Sequence, residues 1–268
     1  MVDVLIGVSG AVAGREVAVW RLQEASIILA KACTTGLSAQ KCNPLSKFYA
    51  PAGPYKLWDV SSYATLCRAL VELYLNLHYI AAESVPDEEH EFRRFLWGHH
   101  REVERLKMVE EALPDSDALR DLRRTVDANR ATLMAHGFYA RLAQDRQKVA
   151  RSGRDSKYLK NDEICVRAGM SKRYVSSMFK YLSNHTHTSP LSLAIMDIQF
   201  AGSPGARESF EFVSQILAQF CAMVVRDMIA ICPDPKPILE GEIIAEIAEA
   251  EDMLKWEKSP AFAGKPLA

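Results

Sequence analysis

Two short stretches of the chain carry side chains suited to moving protons and holding a phosphate. In LCRALVELYLNLHYIAA, residues 66–82, Arg68, Glu72 and Asn76 stand four residues apart, so on a helix they lie along one face. In FKYLSNHTHTS, residues 179–189, Lys180, Ser183 and His187 continue a 4, 3, 4 spacing that begins at Ser176, with Tyr181 and His185 beside them. A guanidinium stabilises charge on a phosphate, an imidazole transfers protons, and a carboxylate and a hydroxyl can orient both. If the two faces meet, Arg68, Glu72, Ser183 and His187 form a catalytic cleft, with Asn76, Lys180, Tyr181 and His185 as binding neighbours. The plainer alternative is that Arg68 and Glu72 pair with each other and only fix helix register or face water.

Both stretches need helices to position them, and a 3.6-residue hydrophobic period dominates the chain. It predicts helices over residues 15–36, 59–84, 87–112, 115–149, 171–188, 206–231 and 239–256. Pro86 with Asp87 and Pro114 with Asp115 each supply a break followed by an acidic start, which the positive end of a helix dipole favours. NPLSKFYAPAGPYKLW, residues 43–58, reads as a Pro-rich loop, and RSGRDSKYLKND, residues 151–162, as a polar connection. Helices joined by short connections predict an all-α, multi-helix bundle. Its expected organisation is an N-terminal segment over 1–14, a bundle domain over 15–232, and a linker, appended helix and tail over 233–268. The stretch 66–82 is apolar nearly all round, so it should sit centrally, where an unpaired charge is costly.

Composition narrows the partners. Thirty-three Lys and Arg against 34 Asp and Glu leave a net charge of −1, so no global field draws in nucleic acid or membrane. Attraction must be local, and residues 146–173 hold nine Lys or Arg against three Asp or Glu, a charge that suits phosphate. Six cysteines without a C-x-x-C pair read as reduced core residues of a cytoplasmic protein. The apolar stretches 66–82 and 212–225 are interrupted by charge or too short to predict a membrane span. His99 and His100 point apart on a helix, and His185 and His187 lack a clear third ligand, so no metal is expected. VLIGVSGAVAG, residues 4–14, imitates a glycine-rich nucleotide turn, but no strand and helix alternation follows it, so no cofactor is expected.

EICVRAGMSKRYVSSMF, residues 163–179, imitates a helix-turn-helix, with Gly169 in the turn and Ser171 as the cap. In that reading Lys172 and Arg173 would contact DNA. Against it, Val166 is apolar where a first helix often faces solvent, and the second helix runs on into Tyr181, Ser183 and His187. Sequence-specific DNA binding therefore ranks below non-specific contact of this basic segment with RNA.

RALVELYLNLHYI together with YLSNHTHTS resembles a family of bacterial helical proteins of undetermined function. Its marks are an Arg-x-x-x-Glu core helix and a later Tyr-x-Ser-x-x-x-His-x-Ser signature, matched here by Arg68, Glu72, Tyr181, Ser183, His187 and Ser189. More distantly the chain resembles the HEPN superfamily of helical bundles, many of which are metal-independent ribonucleases that act as dimers in defence and toxin systems. The resemblance implies RNA as partner, a homodimer, and no metal or cofactor. His187 would transfer protons, Arg68 would stabilise phosphate charge, and Glu72, Ser183 and Tyr181 would orient them. The Arg-x4-6-His motif of HEPN nucleases is matched by Arg94 with His99 and by Arg130 with His136, neither with the usual polar neighbour after the arginine. A non-catalytic helical interaction module is the alternative from another class.

Overall fold

Asp59 opens the central helix by accepting the Ser62 N–H on its carboxylate at 2.9 Å, which satisfies one of the first-turn donors. In the computed structural model, which describes residues 1–50, 58–114, 116–187, 189–198, 201–232 and 247–248, the described residues form eleven α-helices and no strand. In chain order they are α1 (Val2–Val12), α2 (Trp20–Cys42), α3 (Val60–Leu77), α4 (Asp87–Ala112), α5 (Asp117–Ala135), α6 (Gly137–Arg141), α7 (Gln144–Ser152), α8 (Asn161–Arg167), α9 (Lys172–Thr186), α10 (Pro190–Ile198) and α11 (Pro204–Ile231), and a π-helical turn over His78–Ala82 continues α3. The protein is all-α, as the period predicts. It divides into two compact units, Met1–Ala82 with Cys165–Ala268, and Glu83–Ile164.

In the first unit α3 is enclosed by α2, α9 and α11, while α1 lies on α2 and α11. Tyr63, Cys67, Leu70, Val71, Tyr74, Leu75 and Leu77 of α3 are fully buried, which is what an apolar surface on every side of a helix requires. Ser203 caps α11 through the Ala206 N–H at 3.2 Å, with Pro204 in the first turn. Four of the six free cysteines, Cys33, Cys67, Cys165 and Cys221, are buried.

In the second unit α4 and α5 pair across a short connection. Asp87, Glu88 and Glu89 fill the first turn of α4, and Ser116 caps α5 through the Leu119 N–H at 3.2 Å. Arg93 of α4 is wholly buried. Its Nη2 lies 2.7 Å from the Glu83 carboxylate and its Nε donates to Glu89 at 3.1 Å. The Tyr158 hydroxyl also donates to Glu89, and burial pushes that phenol up to about 12. α7 ends at Gly153 with φ 61°. A Cβ at that position would stand 2.6 Å from Val103 Cγ2, so both the conformation and the space demand glycine.

The structure corrects several predicted bounds. The helix predicted over 15–36 runs instead from Trp20 to Cys42, with Gly36 inside it facing Val2 of α1, whose methyls would stand in ordinary contact, 3.5 Å, from a Cβ there. Residues 2–12 are themselves helical. The single helix predicted over 115–149 is three, since His136 turns extended (φ −71°, ψ 134°) and its Nδ1 caps α6 through the Phe138 N–H at 3.2 Å. α8 and α10 were not predicted, and the predicted helix over 239–256 lies outside the described residues apart from 247–248. The stretch read as too short for a membrane span belongs to a 28-residue helix, α11, long and apolar enough to cross one by length and composition. Its apolar side chains are buried in the bundle.

Candidate polar groove between two helices

α9 is strongly two-faced. Tyr174, Val175, Met178, Leu182 and His185 are buried, while Lys172, Arg173, Ser176, Ser177 and Lys180 are exposed. The buried face lies along α3, and the pairs Arg68 with Ser183 and Ser61 with His185 show that the two helices run antiparallel.

Three of the four groups expected to share a cleft meet there. Arg68 donates from Nη1 to the Glu72 carboxylate and from Nε to Ser183 Oγ at 3.3 Å. Its guanidinium carbon stands 4.6 Å from the centre of the Phe179 ring, a stacking geometry that favours arginine over lysine. The Arg68 side chain is 21% exposed and that of Glu72 48%. Nη2 of Arg68 has no protein partner among the described residues. The arrangement therefore holds a planar, partly exposed cation in a fixed orientation with Nη2 unspent, which suits an oxyanion.

The fourth group stands apart. His187 is the exposed residue that caps the C-terminus of α9, and its backbone N–H donates to the Ser183 carbonyl at 3.1 Å. Its ring makes no hydrogen bond or ion pair with Arg68 or Glu72 among the described residues. One turn beyond Ser183, it lies towards the N-terminal end of α3. Asn76 is half-buried one turn beyond Glu72, and Lys180 is exposed without an ion pair among the described residues.

Tyr181 and His185, expected beside the groove, point inward instead. They continue the register of Met178 and Leu182 on the buried side of α9. His185 Nδ1 lies 3.2 Å from Ser61 Oγ, and its Nε2 is buried without a partner among the described residues. The Tyr181 ring meets His185 and Phe212 edge-on, each at 4.9 Å. Burial pushes the Tyr181 phenol up, eased by the Ser209 hydroxyl. Ser61 and Phe179 were missed in the sequence, although Ser61 stands seven residues before Arg68 and Phe179 four before Ser183, each on the stripe already recognised.

Burial holds the His185 imidazole below its ordinary value of 6.5, an effect the Asp59 carboxylate partly offsets. Between the lowered folded value and 6.5 the unfolded chain takes up a proton that the folded chain refuses. Stability from neutral His185 is thus complete above about pH 6.5 and is lost as the pH falls from there towards the folded value. Wild type is expected to melt at lower temperature on acidification through this window, and His185→Gln to flatten that dependence. His99, lowered mainly by burial as well, supplies the slope that remains. An unchanged slope in His185→Gln would show that the imidazole is not held neutral.

Neither Arg-x4-6-His match forms a site. His99 is buried with Nε2 3.3 Å from the Arg151 carbonyl, whereas Arg94 is exposed and lies 3.8 Å from Glu91. Five residues on a helix turn side chains about 140° apart, so the pair diverges. His136 is spent on capping α6, and Arg130 pairs with Asp127 at 2.8 Å. The helix-turn-helix imitation has its turn at Gly169, φ 87°, but Ser171 makes no side-chain cap and α9 is seated along α3.

A second polar cluster lies in the core around His78. In the π-helical turn its Nδ1 is 2.9 Å from Asp227 Oδ2, and its Nε2 is buried without a partner among the described residues. Arg226 Nε donates to Asp227 at 2.9 Å and its Nη2 to the Tyr74 hydroxyl at 3.2 Å. Asp227 was missed, although an acidic residue inside the apolar run FCAMVVRDMIAI was a legible signal. Among the described residues no three His, Cys, Asp or Glu side chains are grouped to hold a metal ion.

A family model described as a family of unknown function (DUF5677) matches residues 55–200, which hold both polar stretches. No curated protein and no solved structure matches the chain.

Proposed function

The chain belongs to the DUF5677 family, whose function is unknown, and we propose that its α3–α9 groove is the site of a metal-independent endoribonuclease, distantly HEPN-like, of a bacterial defence or stress system. The observation that carries this reading is Arg68, partly exposed and held by Glu72, Ser183 and Phe179 with Nη2 unspent.

A backbone phosphate of RNA seats against that nitrogen. His187 takes the proton of the neighbouring ribose 2′-hydroxyl, and the 2′-oxygen forms a bond to phosphorus as the bond to the 5′-oxygen breaks. The proton passes from His187 to the departing 5′-oxygen, leaving a 2′,3′-cyclic phosphate and a free 5′-hydroxyl. Arg68 stabilises the negative charge that grows on the phosphoryl oxygens. Glu72 and Ser183 act as positioning residues through Arg68. His187 is exposed at a helix end, so it closes on the phosphate when RNA is bound, and a second subunit completes the enclosure in the expected homodimer.

A second reading draws on the same contacts. Glu72, Ser183 and Phe179 give Arg68 a sufficient structural role, in which the stripe fixes the register of α3 against α9 in a non-catalytic interaction module. Incubation of purified protein with mixed RNA in excess EDTA separates the two. Products ending in 2′,3′-cyclic phosphate are expected. Intact RNA at high protein concentration would overturn the nuclease reading in favour of the module.

A further inference from the structure

Between Ile164 and Met196 the chain contains no Asp or Glu, while Arg167, Lys172, Arg173 and Lys180 all fall there. All four cations are exposed, as are Ser176 and Ser177. On α9 the exposed groups advance one turn at a time, from Lys172 and Arg173 through Ser176 and Ser177 to Lys180. The next turn brings Ser183, bonded to Arg68, and the one after it His187. Over its 15 residues the helix spans about 22 Å, so the line is long enough to meet several successive phosphates. The carboxylate facing it from α3 is Glu72, which is engaged by Arg68.

We infer that the outer face of α9 is a sequence-independent track for the phosphodiester backbone of an RNA strand, ending at the edge of Arg68. The inference rests on the nuclease reading for what happens at that end, but not for the binding itself. Cations with hydroxyls and no carboxylate among them are complementary to a polyanion. The face exposes no aromatic ring on which a base could stack and no large apolar side chain that would anchor a protein partner. Recognition therefore runs through phosphates, which carry no sequence information.

The test uses the full chain and a 2′-O-methyl oligoribonucleotide, which lacks the hydroxyl needed for cleavage, with binding followed by fluorescence anisotropy across a sodium chloride series. Wild type is expected to bind several unrelated sequences alike. In Lys172→Ala/Arg173→Ala/Lys180→Ala the slope of log K against log salt is expected to shrink by about 2, since each phosphate contact on a single strand contributes about 0.7. The replaced side chains are exposed, and an unchanged melting curve confirms that the variant is folded. A wild-type slope in the triple variant, strong preference for one sequence, or no binding by wild type would overturn the track. Equal displacement of the probe by polyglutamate would assign the face to an acidic protein and overturn it as well. The two readings fail separately: wild type that binds with the expected slope yet leaves RNA intact removes the nuclease and keeps the track. Cleavage by the triple variant with unchanged KM removes the track and keeps the nuclease.

Discussion

His187→Ala protein is expected to melt within about 2 °C of wild type and to cleave RNA roughly 10²–10⁴-fold more slowly. The first half follows from exposure: a solvent-facing imidazole at a helix end contributes little packing, and such substitutions cost within about 0.5 kcal/mol. The second half is the usual contribution of a general acid and base. Arg68→Ala should slow cleavage by a similar factor, because it removes the charge that faces the phosphate. Arg68→Lys should recover little, since an ammonium cannot satisfy Glu72 and Ser183 together while lying flat on Phe179. The measurement compares initial rates in excess EDTA with thermal melts of the same preparations. A purely structural stripe predicts the reverse pattern for Arg68→Ala, a drop in melting temperature with no cleavage to lose. Cleavage that persists at wild-type rate in both His187→Ala and Arg68→Ala would move the site out of this groove.

Arg93→Met is expected to destabilise the unit formed by Glu83–Ile164 by about 3–5 kcal/mol. The guanidinium is wholly buried between the Glu83 and Glu89 carboxylates. Its removal leaves two negative charges with little water, and the Tyr158 hydroxyl can satisfy only part of Glu89. Urea unfolding followed by amide exchange over residues 83–164 reads the loss. Adding Glu89→Gln to Arg93→Met should return part of it, because the double change removes one of the stranded charges. A loss below about 1 kcal/mol for Arg93→Met would show that water or rearrangement already satisfies the glutamates.

The sequence by itself determined what depends on neighbours within a few turns. The 3.6-residue period declared the long helices and hence the all-α class, and the acidic start after Pro86 placed α4 at Asp87–Ala112, where the structure has it. The alignment of Arg68 with Glu72 was legible for the same reason, since residues four apart on a helix must be neighbours. Of the expected facing of the two stripes the structure keeps the contact of Ser183 with Arg68, while Ser176, Lys180 and His187 of the same stripe are exposed. That contact was foreseeable because a helix apolar on nearly every side leaves its few polar groups needing partners from the next helix.

Only the tertiary structure decided which histidine turns inward. His185 and His187 are two residues apart and so point about 200° from each other. The register that seats Met178 and Leu182 against α3 buries the first and exposes the second. The same holds for Phe179 beneath Arg68 and for Ser61 against His185. His78 and Asp227 are separated by 149 positions, and no local pattern links them. They meet because burying the apolar faces of α3 and α11 against each other brings the two polar groups to the same depth, where each is the other's means of leaving water.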